Sequence, residues 1–418
     1  MAGKSNTYAL GVLTVVFAVN QLDRNVLAVT LDQIGAEFAL TDTQLGLLSG
    51  ALFAIVYALF GFPVAGLAAR GNRRNIISAA TAVWSALTIA MSSAQNFVQL
   101  ALARLGVGIG EAGAVAPAHS MISDFYPPER RTSAMATFAA GANIGVLLAF
   151  LVGGIAGQVL GWRWAFVIAG LPGLVLALLL RFTVAEPHRA SEPVPDRQGS
   201  LFLHTCRTIR NDTGLLHALC GLAVTGIVTF GALAWTATFI IRAHGLSQAQ
   251  TGIFLALGVG ILGGFGTWAG GVIADRLGAK DPRWRLGVVI AAILAAKPFA
   301  IGFLLFPSAA PALACLVISG SMATVFWGPT YAFLHARVEP HMRPMATAIY
   351  LCVFNIVGVG VGPTVIGLAS DTLFAGQGAK SLGYAILLVQ IAGVWGAWHY
   401  WRAMRTIARA PGTASLPT

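Results

Sequence analysis

Residues 132–162 read TSAMATFAAGANIGVLLAFLVGGIAGQVLGW, a run with no Asp, Glu, Lys, Arg or Pro. As a helix it would rise roughly 45 Å at 1.5 Å per residue, more than the hydrocarbon thickness of a bilayer, about 30 Å. A soluble core helix does not need such a length. Four more windows, residues 43–69, 213–241, 243–274 and 344–370, are equally free of charge. The whole chain agrees: 57% of its 418 residues are hydrophobic and 10% charged, where a soluble domain carries about 25% charged residues. The quoted run also has a faint second copy. Arg131, Ala134, Ala136, Asn143 and Ile144 recur in the same order as Arg343, Ala346, Ala348, Asn355 and Ile356, the mark of a duplicated unit.

Read this way, the chain is an all-α membrane protein with twelve transmembrane helices in two pseudo-symmetric six-helix bundles. The helices fall near 8–30, 43–66, 76–93, 97–123, 132–157, 164–182, 214–241, 251–274, 287–306, 311–335, 345–370 and 383–401. Residues 1–182 form the N-terminal bundle, 183–213 a linker carrying Pro187, Pro193 and Pro195, and 214–418 the C-terminal bundle. A net charge of +11 raises nucleic acid as a partner, but the placement of the charge excludes it. Of 26 Lys and Arg, Arg24, Arg104 and Lys297 fall within spans, Arg181 at the cytoplasmic end of one, and Arg163, Arg242 and Lys380 in odd-numbered loops. The rest lie in even-numbered loops or at the termini. That is the positive-inside bias, with both termini cytoplasmic in a bacterial inner membrane.

The N-terminal apolar run meets Asn20, Asp23 and Arg24 before any small-residue cleavage site, so the first span is expected to remain in the mature protein. Cys206, Cys220, Cys315 and Cys352 lack metal or redox spacing, and neither a metal nor another cofactor is expected. Many of the 49 glycines are spaced in threes and fours, as close helix packing in lipid requires. Gly328-Pro329 and Gly362-Pro363 are candidate bends. A membrane-embedded enzyme would need a nucleophile with its base or a set of metal ligands, and no His-Glu-x-x-His or Gly-x-Ser-x-Gly occurs. A phosphate loop for ATP is absent too, and so are the charged rings of a channel.

The stretch Ala65-Gly-Leu-Ala-Ala-Arg-Gly-Asn-Arg-Arg74 resembles the signature loop of the major facilitator superfamily, and Gly271-Val-Ile-Ala-Asp-Arg-Leu-Gly-Ala-Lys280 resembles it more closely. The first copy has Ala65 where the family has Gly and Ala69 where it has Asp. The resemblance implies a cytoplasmic gate built from Asp275 and Arg276, with Arg70, Arg73 and Arg74 in the weaker copy. Within the superfamily the chain resembles the Spinster family through Asn20-Gln-Leu-Asp-Arg24, Arg104-Leu-Gly-Val-Gly-Ile-Gly-Glu-Ala112, Asp124-Phe-Tyr-Pro-Pro-Glu-Arg130, Gly161-Trp-Arg-Trp-Ala-Phe166 and the segment from Gly362-Pro363 to Asp371. This implies a secondary active transporter working by alternating access, coupled to protons, for an amphipathic anion such as a lysophospholipid or a sphingolipid-like molecule. Organic-anion symporters share the same charges, so a small sugar acid or carboxylate is the alternative substrate.

Arg104 and Glu111 lie two turns apart, about 10.5 Å of rise, on nearly one helix face. Asp23 and Arg24 join them as the ionisable residues that lipid tolerates only when paired or in a cavity. Depth along oppositely running helices places Asp23 within reach of Arg104 and leaves Glu111 the less compensated carboxylate. The resemblance makes Asp23 and Glu111 the proton-responsive pair, with Arg24 and Arg104 as partners or as anchors for an anionic head group. Lys297, beside Pro298, either snorkels or lines the cavity. His119 is expected as a core histidine or a proton relay, and Trp327 and Tyr331 as packing or an aromatic wall. The bilayer and a small substrate are the expected partners, and a monomer suffices.

Overall fold

Uncharged runs of this kind fold as helices because lipid offers backbone N–H and C=O groups no partner outside their own segment. In the computed structural model, which describes residues 2–188 and 198–407, the described residues form helices and no strand. The first six spans are Ala2–Phe38; Asp42–Ser49 with Ala51–Arg70; Arg73–Met91; Phe97–Glu111 with Val115–Phe125; Pro128–Leu151 continuing to Gly157–Val159; and Trp162–Thr183. The second six are Thr213–His244; Gln248–Leu255 continuing to Gly263–Lys280; Trp284–Leu305; Ala309–Met322 with Trp327–Arg337; Arg343–Val353 continuing to Gly362–Asp371; and Ser381–Arg405. Eleven of the twelve are long and apolar enough to cross a membrane. The third is less apolar because Arg73, Arg74 and Asn75 open it and Ser78, Thr81, Ser85 and Thr88 lie on its buried face.

Several helices run past the expected ends. The first continues to Phe38 rather than stopping near residue 30, because Asp32 and Glu37 find arginine partners there. The Gly161-Trp-Arg-Trp segment supplies one of them: Trp162 Nε1 donates to Glu37 Oε2 at 2.6 Å, and Arg163 Nη1 pairs with Glu37 Oε1 at 2.6 Å. The linker is not wholly irregular either. Gln198–Asn211 is an amphipathic helix whose Leu201, Phe202, Cys206 and Ile209 pack into the C-terminal bundle beside Leu215 and Phe333. Residues 189–197 lie outside the described residues.

Besides the breaks in the fourth and tenth spans, four spans are interrupted. The second breaks at Gly50, with φ −118° and ψ −90°. The fifth, eighth and eleventh carry π-helical stretches at Val152–Ala156, Ala256–Leu262 and Phe354–Val361, all containing glycine. A π turn widens the helix and re-aims the segment beyond it. These interruptions sit where the bundles meet: Val152–Ala156 packs on Gln248–Leu255, Ala256–Leu262 on Pro128–Leu151, and Phe354–Val361 on Ala51–Arg70. A Cβ at Gly46 would overlap the Pro363 carbonyl, and one at Gly154 would overlap the backbone of Gly252. The expected bends are real, since Pro363 starts a new helical segment and Gly328-Pro329 follows the break after Met322.

All of this inter-bundle packing lies in the half of the molecule remote from the termini. The segments nearer the termini, Val115–Phe125, Gly263–Lys280, Trp327–Arg337 and Arg343–Val353, pack chiefly within their own bundles. Among the described residues the bundles therefore pack against each other chiefly on the far face, and less on the face of the termini.

Candidate functional site

The fourth span is broken where its chemistry lies. Pro117 has no N–H to give the Gly113 carbonyl, so the helix ends at Glu111 and restarts at Val115. Glu111 thus sits at a helix C-terminus, where the dipole disfavours a negative charge, and it is fully buried. Arg24 compensates it. Its Nη2 and Nε donate to Glu111 Oε2 at 2.8 and 3.2 Å. The Arg24 guanidinium also lies 4.6 Å from the Phe53 ring centre and 5.2 Å from that of Tyr57. Its side chain is 21% exposed while that of Glu111 is 0%, so the arginine is the accessible member of the pair.

Arg104 lies against the same aromatic ring, 4.8 Å from the Phe53 centre. It is buried, and its donors go to backbone: Nε to the Leu48 carbonyl and Nη2 to the Arg24 carbonyl, both at 3.3 Å. Asp23 is 1% exposed, and neither of its oxygens has a hydrogen-bond partner among the described residues. Its polar surroundings are Thr88 and Trp84 of the third span, and Arg104 acts on it through space. Asn20, one turn earlier, is equally buried, with its amide unpartnered.

The four charges expected to share a site are therefore together in the N-terminal bundle, but with a different pairing. Asp23 does not bind Arg104, and Glu111 is the better compensated carboxylate. The reason is local: Asp23 points to the third span, whereas the chain turn at Gly113 brings the Glu111 side chain to Arg24. Asn20, Trp84 and Thr88 do not stand out in the sequence as members of this site. Asn20 shares a motif with Asp23, at a spacing of three, and that is the one signal available for it.

The far face has a polar seal that sequence reasoning also misses. Arg242, at the end of the seventh span, donates through Nε to Asp32 Oδ1 at 2.7 Å and through Nη1 to Asp42 Oδ1 at 2.8 Å. Asp371 accepts from the backbone N–H groups of Asp42 and Thr43, at 3.1 and 2.6 Å, and from the Thr43 hydroxyl at 2.6 Å. Ser370 donates to Asp42 Oδ2 at 2.7 Å, and Gln248 Nε2 to the Gly153 carbonyl at 2.7 Å. Each bond joins one bundle to the other. Two capping boxes, Thr41 with Gln44 and Ser247 with Gln250, start the second and eighth spans here, and this Ser/Thr-x-x-Gln spacing is readable in sequence.

The remaining expected residues lie elsewhere. His119 is exposed rather than in the core, its ring edge-on to Phe138 at 5.2 Å. Trp327 and Tyr331 stack at 6.0 Å in the C-terminal bundle with Phe354, away from the four charges. Lys297 does not snorkel: its Nζ donates to Gln390 Oε1 at 2.8 Å beside an internal cavity. Asp275 and Arg276 are exposed and form no ion pair among the described residues. Arg73 is buried within its own bundle, bonded to Asp124 at 2.5 Å, Glu186 at 2.8 Å and Ser120 at 2.8 Å. The Arg74 backbone N–H donates to Glu186 at 2.8 Å. Arg70 closes the second span and is exposed.

Residues 13–363 match the family model of the Major Facilitator Superfamily. An MFS-type efflux pump of Mycolicibacterium smegmatis is 33% identical over 398 residues, 94% of this chain and 92% of the relative. The sphingosine-1-phosphate transporter SPNS2 of Danio rerio is 25% identical over 94% of this chain and 82% of its own length. Among solved structures, a bacterial homologue of the human lysosomal transporter Spinster, in an inward-facing and unoccupied conformation, superposes with a TM-score of 0.88. It is 29% identical and the match covers 96% of this chain and 97% of that one.

Proposed function

The chain belongs to the major facilitator superfamily of integral, multi-pass membrane transporters, and from that premise we propose that it is a proton-coupled secondary transporter of an amphipathic anion such as a lysophospholipid or sphingolipid-like molecule. One observation carries the reading: a partly exposed arginine, Arg24, held by a fully buried glutamate, in a protein whose two bundles pack chiefly on one face. Protonating Glu111 removes the charge that occupies Arg24, and the guanidinium is then free for an anionic head group, which its planar donors suit. Proton and substrate occupancy are linked through one side chain. Asp23, buried and unpaired, is the second proton-responsive carboxylate. Phe53 and Tyr57 beside Arg24 give the head group an apolar surround, which favours the amphipathic substrate over a sugar acid. The basic residues near the termini make that face cytoplasmic in a bacterial inner membrane, so the face on which the bundles pack less is the inward one.

The test is transport by purified protein in proteoliposomes at several imposed pH gradients, with a lysophospholipid and glucuronate as substrates. The wild type should move the lysophospholipid with a rate that tracks the gradient. Glu111→Gln should still bind it but lose the gradient dependence, and Asp23→Asn should reduce that dependence. A full pH response in both variants would refute the coupling assignment. Transport of glucuronate alone would refute the substrate class.

A further inference from the structure

Halfway along the ninth span, Lys297 is a cation without a carboxylate. It borders a cavity of about 140 Å³ inside the C-terminal bundle, between the seventh, ninth, tenth and twelfth spans, and no Asp or Glu lines that cavity. The site is built rather than incidental. Gln390 Oε1 accepts from Lys297 Nζ at 2.8 Å, and Gly393, one turn further along the twelfth span, leaves the space the ammonium occupies, since a Cβ there would collide with Nζ and Cε. An ammonium has three donors, and one is used by Gln390.

Thr225 of the seventh span lines the same cavity, is 5% exposed, and has a hydroxyl with no hydrogen-bond partner among the described residues. It abuts Gly396, so Lys297 and Thr225 meet the twelfth span at glycines three residues apart, about 4.5 Å of rise. A carboxylate has two oxygens and can accept from both groups. The other walls are mostly apolar, as at Val228, Ile293, Phe303 and Leu316, with hydroxyls from Thr229, Thr236, Ser319 and Thr324 among them. The volume falls below the roughly 300–1,000 Å³ of drug-sized ligand sites, which restricts the occupant to a small molecule.

We propose that this cavity binds a small apolar monocarboxylate, with the Lys297 ammonium as its countercharge, Thr225 as a second donor, and Gln390 holding the lysine in place. A buried cation surrounded by hydrocarbon lacks compensation, and the carboxylate supplies it. The site is distinct from the Arg24–Glu111 pair, and its failure would leave the proposed transport function untouched.

Binding of radiolabelled octanoate to the protein in nanodiscs tests this, with octanamide as an uncharged competitor of equal length. Octanoate should bind saturably, and octanamide should compete at least tenfold more weakly. Lys297→Met should lower octanoate affinity at least tenfold without changing that of octanamide, and Thr225→Val should lower it about threefold. Lys380→Met, which removes an exposed lysine outside the cavity, should leave octanoate binding unchanged. Equal affinity for octanamide, wild-type affinity in Lys297→Met, or no saturable octanoate binding by folded protein would each overturn the proposal.

Discussion

Replacing Arg242 by Met keeps most of the side-chain volume and removes both charged bonds of the far-face seal. Those bonds, at 2.7 Å to Asp32 and 2.8 Å to Asp42, join a side chain that is 30% exposed to carboxylates that are 30% and 10% exposed. Partly exposed pairs of this kind are worth about 0.5–1 kcal/mol each, so the closed far face loses roughly 1–2 kcal/mol relative to the open one. At 1.4 kcal/mol per tenfold, that shifts the ratio of closed to open molecules by about 5–30-fold. Val159 and Leu373 are exposed at the far ends of the fifth and eleventh spans, in opposite bundles, and suit a pair of spin labels. Double electron–electron resonance should show a longer-distance population growing in Arg242→Met. Asp32→Asn breaks one bond of the two and should give about half the free-energy shift. An Arg242→Met distance distribution identical to that of the wild type would show that the seal rests on packing alone.

Packing can be probed at Gly46, where any Cβ meets the Pro363 carbonyl of the other bundle. Gly46→Leu should block closure of the far face and abolish transport while the same labels report the longer distance, and normal transport would contradict the close approach. Asp275→Asn addresses the opposite face, where Asp275 is exposed. If the Asp275 loop is the latch of the closed state, the variant should favour the present arrangement, read as longer distances between labels on the face of the termini. Unchanged populations would remove Asp275 from that role.

The fold is legible in the sequence because its signal is long. Uncharged runs such as 213–241 and 344–370 leave no soluble alternative, and the basic residues sort the loops by side. The four charges are legible for the same reason, since Asp23, Arg24, Arg104 and Glu111 stand out against apolar neighbours. Their pairing is not. It depends on the turn at Gly113 and on which way Asp23 faces, and neither can be deduced from depth along ideal helices. The far-face seal is hidden by a different effect: Asp32, Asp42, Arg242 and Asp371 stand at helix ends, where charges are ordinary, and only the folded arrangement shows that they meet across the bundles. The two capping boxes mark where those helices start without showing what they touch.

The charge site and the far-face seal share one short element. Arg104 donates to the carbonyls of Arg24 and Leu48, and so spans from the arginine that holds Glu111 to the helix Asp42–Ser49. That helix is the one whose N-terminus Asp371 caps, whose Asp42 receives Arg242, and whose Gly46 lies against Pro363. It is eight residues long, and the backbone changes direction between it and the rest of the second span at Gly50. A buried guanidinium bonded to two backbone carbonyls is a stiff connection, because losing either bond leaves a donor unsatisfied where no water replaces it. If protonation releases Arg24 from Glu111 as proposed, the footing of Arg104 changes with it, and Arg104 is bonded to the helix that meets the far-face seal. Under the proposed coupling the route from charge to gate is short: two arginines, two backbone carbonyls and eight residues of helix.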